Sequence, residues 1–215
     1  MKVGILGSGD VAQALGTGFV TLGHEVRLGS RAAGNPKAVE WAKGTKGKGS
    51  TGTFADAAGF GEILVLATMG VATADAIHLA GESHFDGKLV IDATNPIASS
   101  GQGPPTLAVG GTTSAGEENQ KHLPKAHVVK AFNIVNNSLF FRPQLPGGPP
   151  DMFICGNDAA AKKKVEKILH DFGWSSVLDI GGIEGSRELE SLCILWVKSA
   201  IVLGNFGIAF KLLRK

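Results

Sequence analysis

Residues 2–31, KVGILGSGDVAQALGTGFVTLGHEVRLGSR, decide the fold. They open on a short apolar run, Val3 to Leu6, of the kind that forms a buried parallel strand. Gly7-Ser8-Gly9-Asp10-Val11-Ala12 follows at once as a G-x-G-x-x-A pattern. Val11, Leu15, Phe19 and Leu22 then recur at helical spacing, so a helix is predicted to start at the glycine turn. Gly7 suits the tight strand-to-helix turn, Gly9 lets a pyrophosphate approach the backbone, and Ala12 lets helix and strand pack closely. The free N–H groups and the positive end of that helix would face the phosphates.

A second strand, Glu25 to Leu28, ends about 20 residues after the glycines, where an NAD-binding unit places an acidic residue. Gly29-Ser30-Arg31 stands there instead. No carboxylate is available for a ribose 2′-OH, whereas a hydroxyl and a guanidinium can hold a 2′-phosphate. Lys37, Lys43, Lys46 and Lys48 follow against Glu40 alone, so the local field is positive. A solvated basic loop is the plainer explanation, but the strand–turn–helix–strand setting favours NADP(H) over NAD(H).

The rest of the chain continues the same alternation. Apolar runs at Glu62 to Thr68, Lys88 to Thr94 and Val128 to Phe132 read as strands, with helical stretches at 35–44, 71–81 and 117–123. This alternation predicts an α/β, Rossmann-type doubly wound parallel sheet. Ligands in such sheets sit at strand carboxyl ends, which places Ala67-Thr68-Met69, Asn95-Pro96 and Asn133 on one rim. Residues 97–116 form a long Gly/Ser/Pro/Thr-rich connection of the kind that serves as a lid. Arg142 to Pro150, with four prolines and two glycines, reads as a boundary. It separates a dinucleotide domain, 1–141, from a small C-terminal α/β part, 151–215, that is expected to pack on it. In the latter, Val165, Ile168, Leu169 and Phe172 mark the buried stripe of a helix, and Ser176 to Ile180 reads as a last strand.

Composition excludes several classes. A net charge of +2 over 215 residues gives no general case for nucleic acid. Two cysteines, Cys155 and Cys193, lie in apolar runs and suit neither a disulfide framework nor a metal site, so a reducing cytoplasm is the expected setting. With the first strand at the amino terminus, no signal peptide is expected. Leu192 to Leu213 is nearly long and apolar enough to span a membrane, but Lys198 and its amphipathic start favour a long buried helix. Its small residues, among them Gly204 and Gly207, would let a helix or a flat ligand approach, and a homodimer through this helix is expected.

The six histidines show no metal-ligand spacing, and no H-E-x-x-H or G-x-S-x-G motif occurs. An alcohol or hydroxy-acid dehydrogenase needs a positioned acid–base group, and none stands out on the rim. Hydride exchange between two stacked rings needs mainly orientation, which can contribute on the order of 7–11 kcal/mol.

GILGSGDVAQALG, the GSR at 29–31, ATNP at 93–96, VVKAFN at 128–133 and SRELESL at 186–192 carry a family resemblance over nearly the whole chain. The sequence resembles the NADPH-dependent reductases of the deazaflavin coenzyme F-420 and the related oxidoreductase domain of the STEAP metalloreductases. The resemblance implies hydride transfer between NADP(H) and a flavin-like ring held in a cleft between the two parts, with no catalytic acid–base residue and no metal. It assigns Gly7, Ser8, Gly9, Asp10 and Val11 to the pyrophosphate, and Ser30, Arg31 and Lys37 to the 2′-phosphate. Ala67, Thr68, Met69, Asn95 and Pro96 would line the nicotinamide side. Ala131, Asn133, Ile134, Gly204 and Gly207 would wall the second pocket. Several deazaflavin reductases carry a histidine where this chain has Phe132-Asn133, so the second ligand stays open among coenzyme F-420, FMN and FAD. The alternatives are a metal or flavin reductase of STEAP type, an imine-reductase-like dehydrogenase, and a non-catalytic NADPH sensor.

Overall fold

The unbroken apolar runs do form strands that are buried on both faces. The computed structural model describes residues 1–98 and 105–213. In chain order the elements are β1 (Lys2–Leu6), α1 (Asp10–Thr21), β2 (Glu25–Ser30), α2 (Pro36–Lys43), β3 (Gly49–Thr53), α3 (Phe54–Phe60), β4 (Ile63–Leu66), α4 (Thr73–Ala80) and β5 (Leu89–Asp92). They continue as β6 (Ile97–Ala98), β7 (Thr106–Leu107), α5 (Ala115–His122), β8 (His127–Lys130), β9 (Asp151–Gly156), α6 (Ala159–Asp171), β10 (Ser176–Asp179) and α7 (Ser186–Leu203). An eight-stranded sheet has the order β10-β9-β8-β5-β4-β1-β2-β3. Every neighbouring pair is parallel except β8 and β9. The strands after residue 150 therefore extend the same sheet, running against β8.

Strand register aligns one row across the middle of the sheet: Gly29, Leu6, Leu66, Asp92 and Lys130 are successive partners. The rim formed by the strand carboxyl ends begins one residue beyond this row. Successive strand residues face opposite layers. Val3, Ile5, Val65, Ile91 and Val129 join a core beneath α1 and α6 with Leu15, Phe19, Val165, Leu169 and Phe172. Leu6, Leu64, Leu66, Val90 and Val128 join another beneath α3 and α4 with Phe54, Ala58 and Ile77. Each buried Leu, Ile or Phe contributes roughly 1.5–3 kcal/mol, so the two layers hold the strand ends in place.

The expected long terminal helix is shorter than its apolar run. α7 stops at Leu203, where Gly204 takes a left-handed conformation (φ 60°) and caps it. Gly204-Asn205 is a helix-stop pair, and the chain then folds back: the Asp151 N–H donates to the Phe210 carbonyl, and the Leu212 N–H to the Asp151 carboxylate. α7 buries Leu189, Cys193, Trp196 and Ala200 and leaves Leu195, Ile201, Val202 and Leu203 exposed. Among the described residues no helix is long and apolar enough to cross a membrane. The expected lid at 97–116 falls partly outside the described residues; within them β6 and β7 form a short antiparallel hairpin.

Candidate cofactor site

At the turn from β1 to α1, two glycines answer to different demands. A Cβ on Gly7 would lie 2.4 Å from the Ala67 carbonyl oxygen, so the packing of β1 against the end of β4 requires glycine there. A Cβ on Gly9 would meet nothing within 4 Å. Among the described residues nothing claims that space. Gly9 caps α1 without a side-chain acceptor, whereas Asn35, Thr53, Ser114 and Asp158 each cap their helices with a hydrogen bond. The first turn of α1 thus has no side-chain cap, as is also true of α4 and α7. Gln13 donates to the Ser8 carbonyl (3.0 Å) and steadies the turn, while Asp10 is exposed and Val11 half-buried.

The end of β2 lies beside this turn, with the Gly7 N–H donating to the Gly29 carbonyl (2.9 Å). Ser30 is buried and donates its hydroxyl to the Ala32 carbonyl (2.7 Å). Arg31 and Lys37 are exposed, and neither takes part in an ion pair among the described residues. Other local cations are engaged: Lys43 pairs with Glu40, and Lys48 donates to the Gly23 carbonyl.

Along the same rim the ends of β4 and β5 nearly touch. A Cβ on Gly70 would lie 2.1 Å from the Asn95 carbonyl oxygen. Met69 stays 76% exposed beside it, and the Thr68 hydroxyl is 2.9 Å from that of Thr73. The Asn95 amide donates to the Asn133 carbonyl (2.8 Å), and the Asn133 amide donates to Asn95 Oδ1 (2.9 Å) and the Leu189 carbonyl (3.0 Å). Asn133 is placed by its neighbour. Phe132 holds a left-handed backbone (φ 65°), a rare conformation for a bulky residue. Edge-to-face packing on Phe140 (5.3 Å) and a 5.6 Å contact with Phe172 hold the ring there. Asn133 Oδ1 is the buried side-chain acceptor that finds no donor among the described residues, an orphan that calls for an explanation.

Behind the rim lies a cluster that the motif spacing does not announce. Lys130 Nζ sits 2.9 Å from Asp92 and 3.1 Å from Glu190, and all three side chains are fully buried. It also donates to the Thr94 carbonyl (2.8 Å). Burial alone would pull the ammonium down, but Asp92 and Glu190 together outweigh it and hold Lys130 above its ordinary value. For Glu190 burial wins and raises the carboxyl, against the opposing pull of Lys130 and two backbone donors. Those donors are the Ala115 and Gly116 N–H groups at the start of α5 (both 3.0 Å). Charged residues at the inner ends of strands otherwise made of Leu, Val and Ile are costly unless paired. Asp92 in KLVIDAT and Lys130 in VVKAFN are therefore the signal that could have found the cluster; Glu190, on α7 among charged and polar neighbours, gives none.

Of the residues expected to wall a second pocket, two flank Asn133 and two lie in the turn after α7. Ala131 and Ile134 are fully buried in the larger core, so their side chains present no surface to a cleft. Gly204 and Gly207 sit in an exposed turn whose Phe206 packs on Trp196 (5.9 Å). No hydrogen bond among the described residues joins that turn to the Asn95–Asn133 pair. A cavity of about 160 Å³ lies between Gly70, Val71, Pro96, Ala115 and His122, well short of the roughly 300 Å³ at which ligand pockets begin. A larger depression of about 500 Å³ by His127 and Asp158 is at the amino end of β8, away from the strand carboxyl ends where this fold binds ligands.

Comparison with known proteins agrees with this geometry. A family model described as NADP oxidoreductase, coenzyme F420-dependent, matches residues 2–96. Metalloreductase STEAP3 of Rattus norvegicus is 31% identical over 196 residues, 89% of this chain and 36% of its own length. The F420-dependent NADP reductase of Methanocaldococcus jannaschii is 29% identical over 143 residues, 66% of this chain and 63% of its own. The chain thus spans less than two thirds of these curated relatives. A crystal structure from Arthrobacter sp. FB24, provisionally named an F420-dependent NADP reductase, superposes with a TM-score of 0.93 at 36% identity, with all of both chains covered. A reductive aminase from Aspergillus terreus solved with NADPH shares the fold at a TM-score of 0.66 and 19% identity, over 94% of this chain and 62% of its own.

Proposed function

The chain belongs to the family of coenzyme F420-dependent NADP oxidoreductases, and on that premise we propose that it passes hydride between NADP(H) and a flavin-like ring, either coenzyme F-420 or FMN or FAD. The observation that carries this reading is a line of unclaimed groups along one sheet edge: the open space at Gly9, the unpaired Arg31, and the orphan acceptor of Asn133. Each fits one portion of the dinucleotide. The α1 amino end, with Gly7, Ser8 and Gly9, takes the pyrophosphate, and Arg31 and Lys37 neutralise the 2′-phosphate beside Ser30. Asn95 and Asn133 lie at the nicotinamide end, where a carboxamide N–H is the donor that Asn133 Oδ1 lacks. When bound, the nicotinamide supplies or accepts the hydride. The protein's part is to hold the two rings in register and to keep water from between them.

Residues 151–215 are the part proposed to complete the second-ligand cleft, since the return segment after α7 bonds back to Asp151 beside the end of β8. The buried Cys155 and Cys193, whose thiols burial pushes up to about 11, suit a reducing cytoplasm. The exposed apolar residues at the end of α7 suit self-association; a monomeric mass at micromolar concentration would contradict it. A metal or flavin reductase of STEAP type is the second reading, favoured by the 31% identity to the rat metalloreductase across 89% of this chain.

Anaerobic NADPH oxidation with coenzyme F-420, FMN and FAD offered separately tests both. Turnover with the deazaflavin alone supports the coenzyme reductase, and turnover with FMN or FAD alone supports the second reading. Tight NADPH binding with no turnover on any of the three would overturn the hydride-transfer proposal in favour of a sensor.

A further inference from the structure

The buried cluster behind the rim does not balance its charges. Asp92 Oδ1 accepts from the Thr94 N–H (2.9 Å) and hydroxyl (2.7 Å), and Oδ2 accepts from the Asn119 amide (3.1 Å) and Lys130. Glu190 accepts from two backbone N–H groups (3.0 Å each) and Lys130. All of these partners donate to the two carboxylates, which carry one formal negative charge each. Lys130 directs its three protons to Asp92, Glu190 and the Thr94 carbonyl. Two carboxylates and one ammonium leave one net negative charge. Against it stands the amino end of α5, equivalent to roughly half a positive charge. The adjacent Glu117 and Arg187 close on one another as a neutral pair.

This charge lies close to the redox centre of the proposed site. The Thr94 carbonyl that binds Lys130 immediately precedes Asn95, whose amide is locked to Asn133. The three side chains are fully buried, so ionic strength screens their field little. We propose that the Asp92–Lys130–Glu190 cluster tunes the bound nicotinamide, favouring its oxidised, positively charged form and so making NADPH a stronger hydride donor when bound than when free. This rests on the reading that NADP(H) occupies the rim. Asp92 and Glu190 are positioning and tuning residues here; neither reaches the rim itself.

The test compares the Kd of NADP⁺ with that of NADPH, by calorimetry, for the wild-type chain and for Glu190→Gln, Glu190→Asp and Asp92→Asn. Removing one charge in Glu190→Gln or Asp92→Asn is expected to raise the ratio Kd(NADP⁺)/Kd(NADPH) by about fivefold or more. Glu190→Asp, which keeps the charge and disturbs the packing, leaves the ratio where it was. An unmoved ratio in the charge-removing variants, or an equal shift in Glu190→Asp, overturns the inference. So does a wild-type chain that binds NADPH about tenfold more tightly than NADP⁺, a result that needs no variant to fold. If the wild-type chain binds neither form, the cofactor reading falls and takes this inference with it; binding of both with an unmoved ratio overturns the inference alone.

Discussion

The two ends of the rim are built by opposite means. Around Gly7 to Val11 the chain withdraws its side chains, leaving backbone N–H groups, an uncapped helix and open space. Around Asn95 and Asn133 it does the reverse, packing amides, a left-handed phenylalanine and a fully buried ionic cluster behind the surface. Under the proposed function, the difference follows from what each portion of a dinucleotide offers. A pyrophosphate is a compact anion that bare backbone can satisfy at short range. A nicotinamide is a flat ring of changeable charge, whose recognition needs fixed dipoles and a controlled field.

Substitutions that unbalance the two ends sharpen this contrast. The largest effect is expected at Lys130→Met, which strands Asp92 and Glu190 as buried charges and should cost about 3–5 kcal/mol in urea denaturation. A loss below about 1 kcal/mol would mean the cluster is not the support described. Gly7→Val should cost about 1–3 kcal/mol, because the added atoms collide with the backbone of Ala67. Gly9→Val supplies the counterpart, with stability within about 0.5 kcal/mol of wild type and NADPH affinity reduced at least about tenfold, as titration would show. If the two glycine variants lose stability equally, the space at Gly9 is not reserved for a ligand. Arg31→Ala should remove a charged hydrogen bond worth about 1.5–3 kcal/mol of NADPH binding and leave NADH affinity unchanged; equal loss for both would sink the 2′-phosphate role.

The smallest effect concerns the outer pair that fastens α5 to α7. Arg187 donates to Glu117 (2.8 Å) and holds its carboxyl below the ordinary glutamate value. A depressed carboxylate stabilises the fold above its unfolded pKa and loses that contribution as pH falls through the folded one. The stability gap between wild type and Arg187→Ala should therefore be widest near neutrality and close under acid. A gap that widens as pH falls would contradict the pairing.

Local chemistry is legible in this sequence, and distant chemistry much less so. The βαβ unit at 2–31 announces itself because each demand is met within a few residues, and the strands leading to Thr68, Asn95 and Asn133 follow from simple alternation, although they stop earlier, at Leu66, Asp92 and Lys130. The end of α7 is harder: Gly204-Asn205 is a stop signal, but the apolar run continues to Leu213 and outweighs it, because the return segment buries Ala209 and Phe210 against the core. Phe132 gives no sign of its left-handed backbone, which is imposed by rings at 140 and 172. Asp92 and Lys130 each stand out as a charge in an apolar strand while Glu190 does not, and their union depends on strand register and on a helix that arrives late in the chain.

That late arrival has a consequence for how the molecule is made. The carboxylate that closes the amino end of α5 comes from 75 residues further on. As a ribosome releases the chain, the half proposed to bind phosphate can assemble from roughly the first 70 residues, since its contacts are short in sequence. The other half must wait until residues 186–203 emerge, holding Lys130 and Asp92 short of one partner in the meantime. Cofactor present during synthesis would find a landing place early and a finished seat only once residues 186–203 have emerged.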